Sequence, residues 1–234
     1  MTPANPQLEP ACNSAGVTNV RPIAQVRTPS RISHLLQEIV PLRLGAEHVA
    51  DIARLHFREL SWSLNGQFGQ DHIYDLYRAL AESPHFFGYA YYASGELIGF
   101  VTGTTDFEDT RRRIMPIYRR KIGRMLQILL RNPRFLIAAL ESRFLVPPAF
   151  RSLRTKAEWL TFITDTRKGY IAPFVALRLI DSIRDHFREI GVNGYVAQGY
   201  KINPKAMALY RKLRWRVAKR LFMHVIYYYP TDPS

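Results

Sequence analysis

Cysteine is all but absent from this chain of 234 residues: Cys12 stands alone, which excludes an intrachain disulfide framework and fits a reducing compartment. Long apolar runs are absent too. The longest strongly apolar stretch in the middle of the chain, Phe135 to Leu140, is far short of the roughly 18 to 20 residues that cross a bilayer, so no membrane span is expected. His72, His85, His186 and His224 are scattered, no pair has metal-ligand spacing, and no Ser-His-Asp order stands out. Neither a metal centre nor a hydrolytic triad is therefore expected. Residues 1 to 35 hold one acid, Glu9, among many Pro, Asn, Ser and Thr, and no apolar stretch of signal-peptide length. They read as a disordered leader, whose prolines spoil an amphipathic targeting helix.

The most uneven absence is of negative charge between Thr110 and Lys156. There 13 Lys and Arg stand against one acid, Glu141, so the segment holds +12 of the formal +14 and the rest of the chain sums to near neutrality. A basic patch of this kind raises the local concentration of anionic partners. What remains is ordinary: 47% hydrophobic and 22% charged residues, in a length that suits one domain from residue 36 to residue 234.

Pattern along the chain gives alternating elements. Ile39 to Leu44 reads as a strand and Ala46 to Leu60 as an amphipathic helix with Val49, Ile52, Ala53 and Leu55 inward. A turn-rich piece at Asn65-Gly66 precedes a second helix, Asp71 to Ala81, with Asp71 as its cap. Phe86 to Ala93 and Glu96 to Thr105 read as a hairpin turned by Ser94-Gly95. Tyr118, Ile122, Met125 and Leu129 then recur at helical spacing with arginines between them; Asn132-Pro133 breaks this helix, and Phe135 to Leu145 forms another that Pro147-Pro148 ends. Trp159 to Thr164 and Tyr195 to Tyr200 read as strands around a helix from Pro173 to Ile190, and Leu221 to Tyr229 as a terminal strand. Short loops between these elements require partly parallel pairing, hence an α/β fold.

Residues 203 to 215 carry the sharpest signal. Asn203 can cap a helix, Pro204 fits its first position, and Ala206, Leu209, Tyr210 and Leu213 follow at helical spacing. The run from Asn203 through Ala206, Leu209-Tyr210 and Leu213-Arg214-Trp215 resembles the late helix of the GNAT superfamily of acyl-CoA-dependent N-acyltransferases, with Arg214 and Trp215 where Gly and Phe are usual. The resemblance implies a GNAT-like fold, a central mixed β-sheet flanked by helices, with residues 108–154 as a basic helical insertion before the cofactor-binding strand.

Further roles follow from that resemblance. The cofactor site would comprise Ile163, Thr164, Arg167, Lys168, Gly169, Tyr170, Ile171, Ala172 and Asn203, with the loop after the strand holding the CoA pyrophosphate by its amides, a helix N-terminus and two cations. The loop fits the family's Arg/Gln-x-x-Gly-x-Gly/Ala pattern loosely, in either of two registers. Tyr210 would be the general acid that meets the departing thiolate, since a phenol of pKa near ~10 can donate to a thiolate of pKa near ~8.5. Glu158 and Asp165 bracket the strand as the nearest acids, and Glu158 is carried forward as the candidate base.

The resulting expectation is transfer of an acetyl or short acyl group from acetyl-CoA or another acyl-CoA to a primary amine of a small anionic acceptor, without a metal. Two alternatives stay open. The basic segment could meet an acyl carrier protein that brings a longer chain, or it could lay a non-catalytic GNAT-like module on an anionic membrane. Nucleic acid is a poor partner, because the arginines alternate with aliphatic rather than aromatic residues. The expected location is cytoplasmic, with peripheral membrane contact under the second alternative.

Overall fold

The computed structural model describes residues 39–231, so the expected leader of residues 1–35 lies outside the described residues. The first strand, β1 (Leu42–Arg43), is shorter than expected, because Pro41 has no N–H to give a ladder. Helix α1 (Val49–Leu60) follows a single 3-10 turn and buries Val49, Ile52, Ala53 and Leu55 as its spacing implies. Asn65-Gly66 is not a turn but part of a short helix, α2 (Leu64–Phe68), because the Ser63 hydroxyl accepts from the Gly66 N–H at 3.1 Å and caps it. Helix α3 (Gln70–Ala81) starts directly after Gly69, whose φ of +97° turns the chain; Asp71 does not cap it.

Strands β2 (Phe86–Ala93) and β3 (Glu96–Thr104) form the expected hairpin, with Ser94 and Gly95 at φ 51° and 76°. Four helices then precede the next strand: α4 (Phe107–Arg120), α5 (Ile122–Arg131), α6 (Pro133–Leu140) and α7 (Val146–Ser152), with a π-helical turn at Glu141–Leu145. Two expectations fail here. The helix proposed through Tyr118 and Leu129 is broken at Lys121, where φ falls to −110°, and Pro147-Pro148 does not end a helix but sits in the first turn of α7, where the missing N–H groups are no loss.

The remaining elements are β4 (Glu158–Thr164), α8 (Ala172–Glu189), β5 (Gly194–Tyr200), α9 (Pro204–Lys212), β6 (Arg216–Arg220) and β7 (His224–Pro230). The terminal strand is thus a hairpin, whose first strand is so charged on Arg216, Lys219 and Arg220 that no apolar alternation marks it.

The seven strands run in the order β1-β2-β3-β4-β5-β7-β6, and every neighbour pair is antiparallel except β4 with β5. One face packs on α8 and α9 through Trp159, Leu179, Ile183, Phe187, Tyr195 and Trp215. The other face is covered by α1 and α3 over β2 to β4, and by Phe107, Val146, Ala149 and Phe150 over Val196 and Ile226.

Candidate active site

Strands β4 and β5 are paired only through Glu158 with Val196 and Trp159 with Ala197. Beyond those two pairs they part, although β4 stays on β3 through Thr164 and β5 stays on β7 through Tyr200. The cause is local. Trp159 faces Gly103 and Thr161 faces Thr102, so Leu160 is an extra residue, a bulge that bends β4 away from its parallel neighbour. The result is a wedge-shaped gap with unpaired backbone on its β4 side, the kind of edge that accepts an extended, amide-bearing ligand. The Asp165 N–H donates to the Ile98 carbonyl at 2.7 Å. Antiparallel alternation therefore turns the amides of Asp165 and Ile163 toward β3, and those of Thr164 and Phe162 into the gap.

The two candidate catalytic residues lie on opposite faces of this gap. Glu158 pairs with Val196, which packs under α7, whereas Tyr210 belongs to the cluster under α8 and α9. Burial pushes the Glu158 carboxyl up to about 8. Burial also raises the Tyr210 phenol, and the nearby Tyr227 and Glu158 raise it further. The Tyr210 ring packs on Tyr227 and Trp215 at centroid distances of 4.6 and 5.2 Å, while its hydroxyl has no hydrogen-bond partner among the described residues. Asn203 does cap α9, its Oδ1 accepting from the Ala206 N–H at 3.1 Å. Gly199 lets this helix approach β5: a Cβ there would stand 3.0 Å from Met207 and 3.3 Å from the Tyr210 ring.

At the open end of the gap the loop after β4 is organised by Asp165. Its carboxylate accepts from the Arg167 Nε and Nη2 at 3.1 Å each and from the Arg167 N–H at 3.0 Å, and pairs with Arg58 at 2.7 Å. Burial opposes the charge on Asp165, but these partners outweigh it and hold its pKa below the ordinary value. Lys168 is ion-paired with Glu96. Both cations expected at the phosphates are therefore engaged with carboxylates. The loop amides are freer: after Gly169, at φ +46°, the N–H groups of Gly169, Tyr170 and Ala172 have no acceptor among the described residues, and they open the 18-residue helix α8. Such a helix start attracts anions. The Tyr170 side chain is exposed, and Ile171 begins the helix in helical conformation.

A cleft of about 440 Å³ lies on the Glu158 face, lined by Phe57, Ser61, Trp62, Gln67, Phe68 and Arg124 among others. It meets both strands at the open end of the gap. The end of α1 is tied to the loop after β4 by Arg58 to Asp165 and by the Thr166 hydroxyl to Glu59 at 2.9 Å, while Tyr200 at the end of β5 packs with Phe68 and Met125.

Sequence reading misses three features of this region. His56 Nδ1 lies 2.8 Å from the Tyr77 hydroxyl, which also meets Thr161, so α1 and α3 pin the free stretch of β4; burial lowers His56 to about 4 and it is neutral. Glu141 is turned inward, accepting from the N–H groups of Met223 and His224 and pairing with His224 Nδ1 at 2.8 Å. The third was readable but hidden by summation: Lys201 to Arg220 contains eight Lys and Arg and no acid, balanced by acids elsewhere. All eight are exposed, and none is ion-paired among the described residues.

No protein-family model matches the sequence, and no curated protein matches it. Solved structures do resemble it. The PaiA N-acetyltransferase of Thermoplasma acidophilum in complex with coenzyme A aligns with a TM-score of 0.50 at 10% identity, covering 82% of this chain and 98% of that one. FeeM, an N-acyl amino acid synthase from uncultured soil microbes, aligns with a TM-score of 0.50 at 16% identity, covering 82% and 95%. The chain has the GNAT fold. Among the described residues no group of His, Cys, Asp and Glu could hold a metal ion, and no helix is long and apolar enough to cross a membrane.

Proposed function

We propose that the chain is an N-acyltransferase that moves an acyl group from a CoA thioester to the primary amine of a small acceptor. The observation that carries this reading is the parting of β4 from β5 after two residue pairs, with Tyr210 on one face of the gap and Glu158 on the other. A pantetheine arm in the gap would complete the backbone pairing of Thr164 and Phe162, and the free amides at the start of α8 would hold the pyrophosphate, with Arg167 and Lys168 adding charge. Asn203 would fix the start of the Tyr210 helix beside it.

An ammonium acceptor gives its first proton to Glu158, attacks the thioester carbon, and releases its second proton as the new C–N bond becomes an amide. The C–S bond breaks, the thiolate takes a proton from Tyr210, and that second proton restores the phenol. An amide N–H of β4, with Thr164 the candidate, stabilises the oxyanion. The cleft on the same face of the sheet as Glu158, with three aromatic rings and Arg124, suits an amine that also bears an anionic group; an amino acid fits this description, in line with the N-acyl amino acid synthase that shares the fold. Calorimetry with acetyl-CoA and longer acyl-CoA thioesters tests the reading. Failure of the intact protein to bind any of them would remove it.

One observation favours a second reading, in which an acyl carrier protein brings the donor. Arg167 and Lys168 are engaged with Asp165 and Glu96, while the cations from Lys201 to Arg220, without ion pairs among the described residues, stand on and beside α9 and β6, on the other side of the same gap. An acidic carrier would meet that surface. Comparing kcat/KM for one acyl chain on CoA and on a carrier protein decides between the two, since a carrier donor predicts a large preference that salt abolishes.

A further inference from the structure

Helix α5 is apolar on two sides. Ile128 and Leu129 are buried against Leu64, Phe68 and Phe135, yet Ile122, Leu126 and Leu130, spaced four apart, point outward with 54%, 53% and 82% exposure. The outward stripe continues through Leu136, Ile137 and Leu140 on α6 and Phe144 and Leu145 on the π-helical turn. Of 18 large exposed apolar side chains among the described residues, these eight lie within residues 122–145, which concentrates them far beyond the scatter normal for a surface. Exposed arginines surround them: Arg119, Arg120, Arg124, Arg131, Arg134 and Arg143 have no carboxylate partner among the described residues. Glu141, the sole acid of the segment, is buried on His224. The outer face therefore carries aliphatic and cationic groups and no negative charge.

We infer that this face of α5 and α6 seats the protein on an anionic lipid bilayer, with Ile122, Leu126, Leu130 and Phe144 entering the headgroup region and the arginines pairing with lipid phosphates. The chemistry matches on both counts, since interfacial helices combine an apolar stripe with cations that gain from anionic lipid. Other occupants fit worse. A second copy would set one cationic face against another, and the chain's first 38 residues, with Arg21, Arg27 and Arg31 against Glu9 and Glu38, offer no countercharge. A protein partner would need a groove or a cluster of aromatic anchors, whereas Leu130 stands out beside the α5–α6 corner and the stripe is mostly Leu and Ile with Phe144 as its one aromatic; Leu is among the residues that interface hot spots use little. The inference does not depend on the acyltransferase reading.

Flotation of the full chain with phosphatidylglycerol vesicles, against phosphatidylcholine vesicles, tests it. The protein should float with the first and not the second. Reversal of three arginines (R119E, R131E, R134E) should weaken partitioning by at least about a hundredfold, and polar replacement of two leucines (L126N, L130N) by about tenfold. Flotation unaffected by the leucine changes would mean adsorption by charge alone and overturn the inserted stripe. A wild type that stays at the bottom of the gradient overturns the inference, as does a dimer in sedimentation that only the leucine changes dissolve. Should either variant misfold, an environment-sensitive dye at L130C, with C12S, must still shift to the blue on phosphatidylglycerol vesicles; an unshifted dye is equally decisive against it.

Discussion

At neutral pH the Glu158 carboxyl is mostly protonated, because burial lifts its pKa to about 8. A base must first lose that proton, so turnover with an amine of fixed protonation should rise through about pH 8, and Glu158→Gln should flatten that limb of the profile. The same shift bears on stability. Between the ordinary value of 4.5 and about 8 the folded chain holds a proton that the unfolded chain has released, so stability falls as pH rises across that window. Glu158→Gln cannot ionise, and its melting temperature should drop less between about pH 5 and pH 8 than that of the wild type. On the proposed mechanism Tyr210→Phe removes the hydroxyl that meets the departing thiolate, and should lower turnover on the order of a hundredfold with little change in CoA affinity; equal turnover would reduce Tyr210 to a packing residue. The Asn203 cap was legible because capping joins residues three apart, Asn203 and Ala206. The environment of Glu158 was not, because it depends on β4 meeting β5 across a whole helix, and no local pattern encodes that meeting. Asp165 is opaque for the same reason: Arg58, one of the partners that hold it charged, lies on α1, far away in sequence.

Helices with one buried stripe and strands with alternation were readable, and α1, α3, α8 and the β2–β3 hairpin lie where their patterns put them. Elements whose pattern answers to a second demand were not. The outer stripe of α5 blurs its period, the charges of β6 erase its alternation, and Pro147-Pro148 means a stop or a start depending on what precedes it. What precedes it is the π-helical turn, and Glu141 opens that turn. Removing its carboxylate with Glu141→Ala strands the buried N–H groups of Met223 and His224, and should lower stability by roughly 2 to 3 kcal/mol in denaturant titration. Hydrogen exchange should then quicken in α6 and at the start of β7 before it quickens in α8.

For the whole molecule, the gap divides one sheet into two leaves, β1 to β4 and β5 with β7 and β6, joined by two residue pairs and by the core beneath α8. A thioester that bridges the leaves should raise global stability by about 2.7 kcal/mol at a hundred times its Kd, read as a rise in melting temperature. The charge that the chain carries is likewise divided, with one basic face on α5 and α6 and another on α9 and β6. A sheet left open between β4 and β5 is an incomplete object, a zip whose missing teeth an extended ligand could supply. If a CoA thioester fills the gap as proposed, binding closes the zip and release must reopen it, so the escape of the coenzyme and the breathing of the fold become a single motion. On the proposed reading, product release is then limited by the seam at which the fold itself is softest.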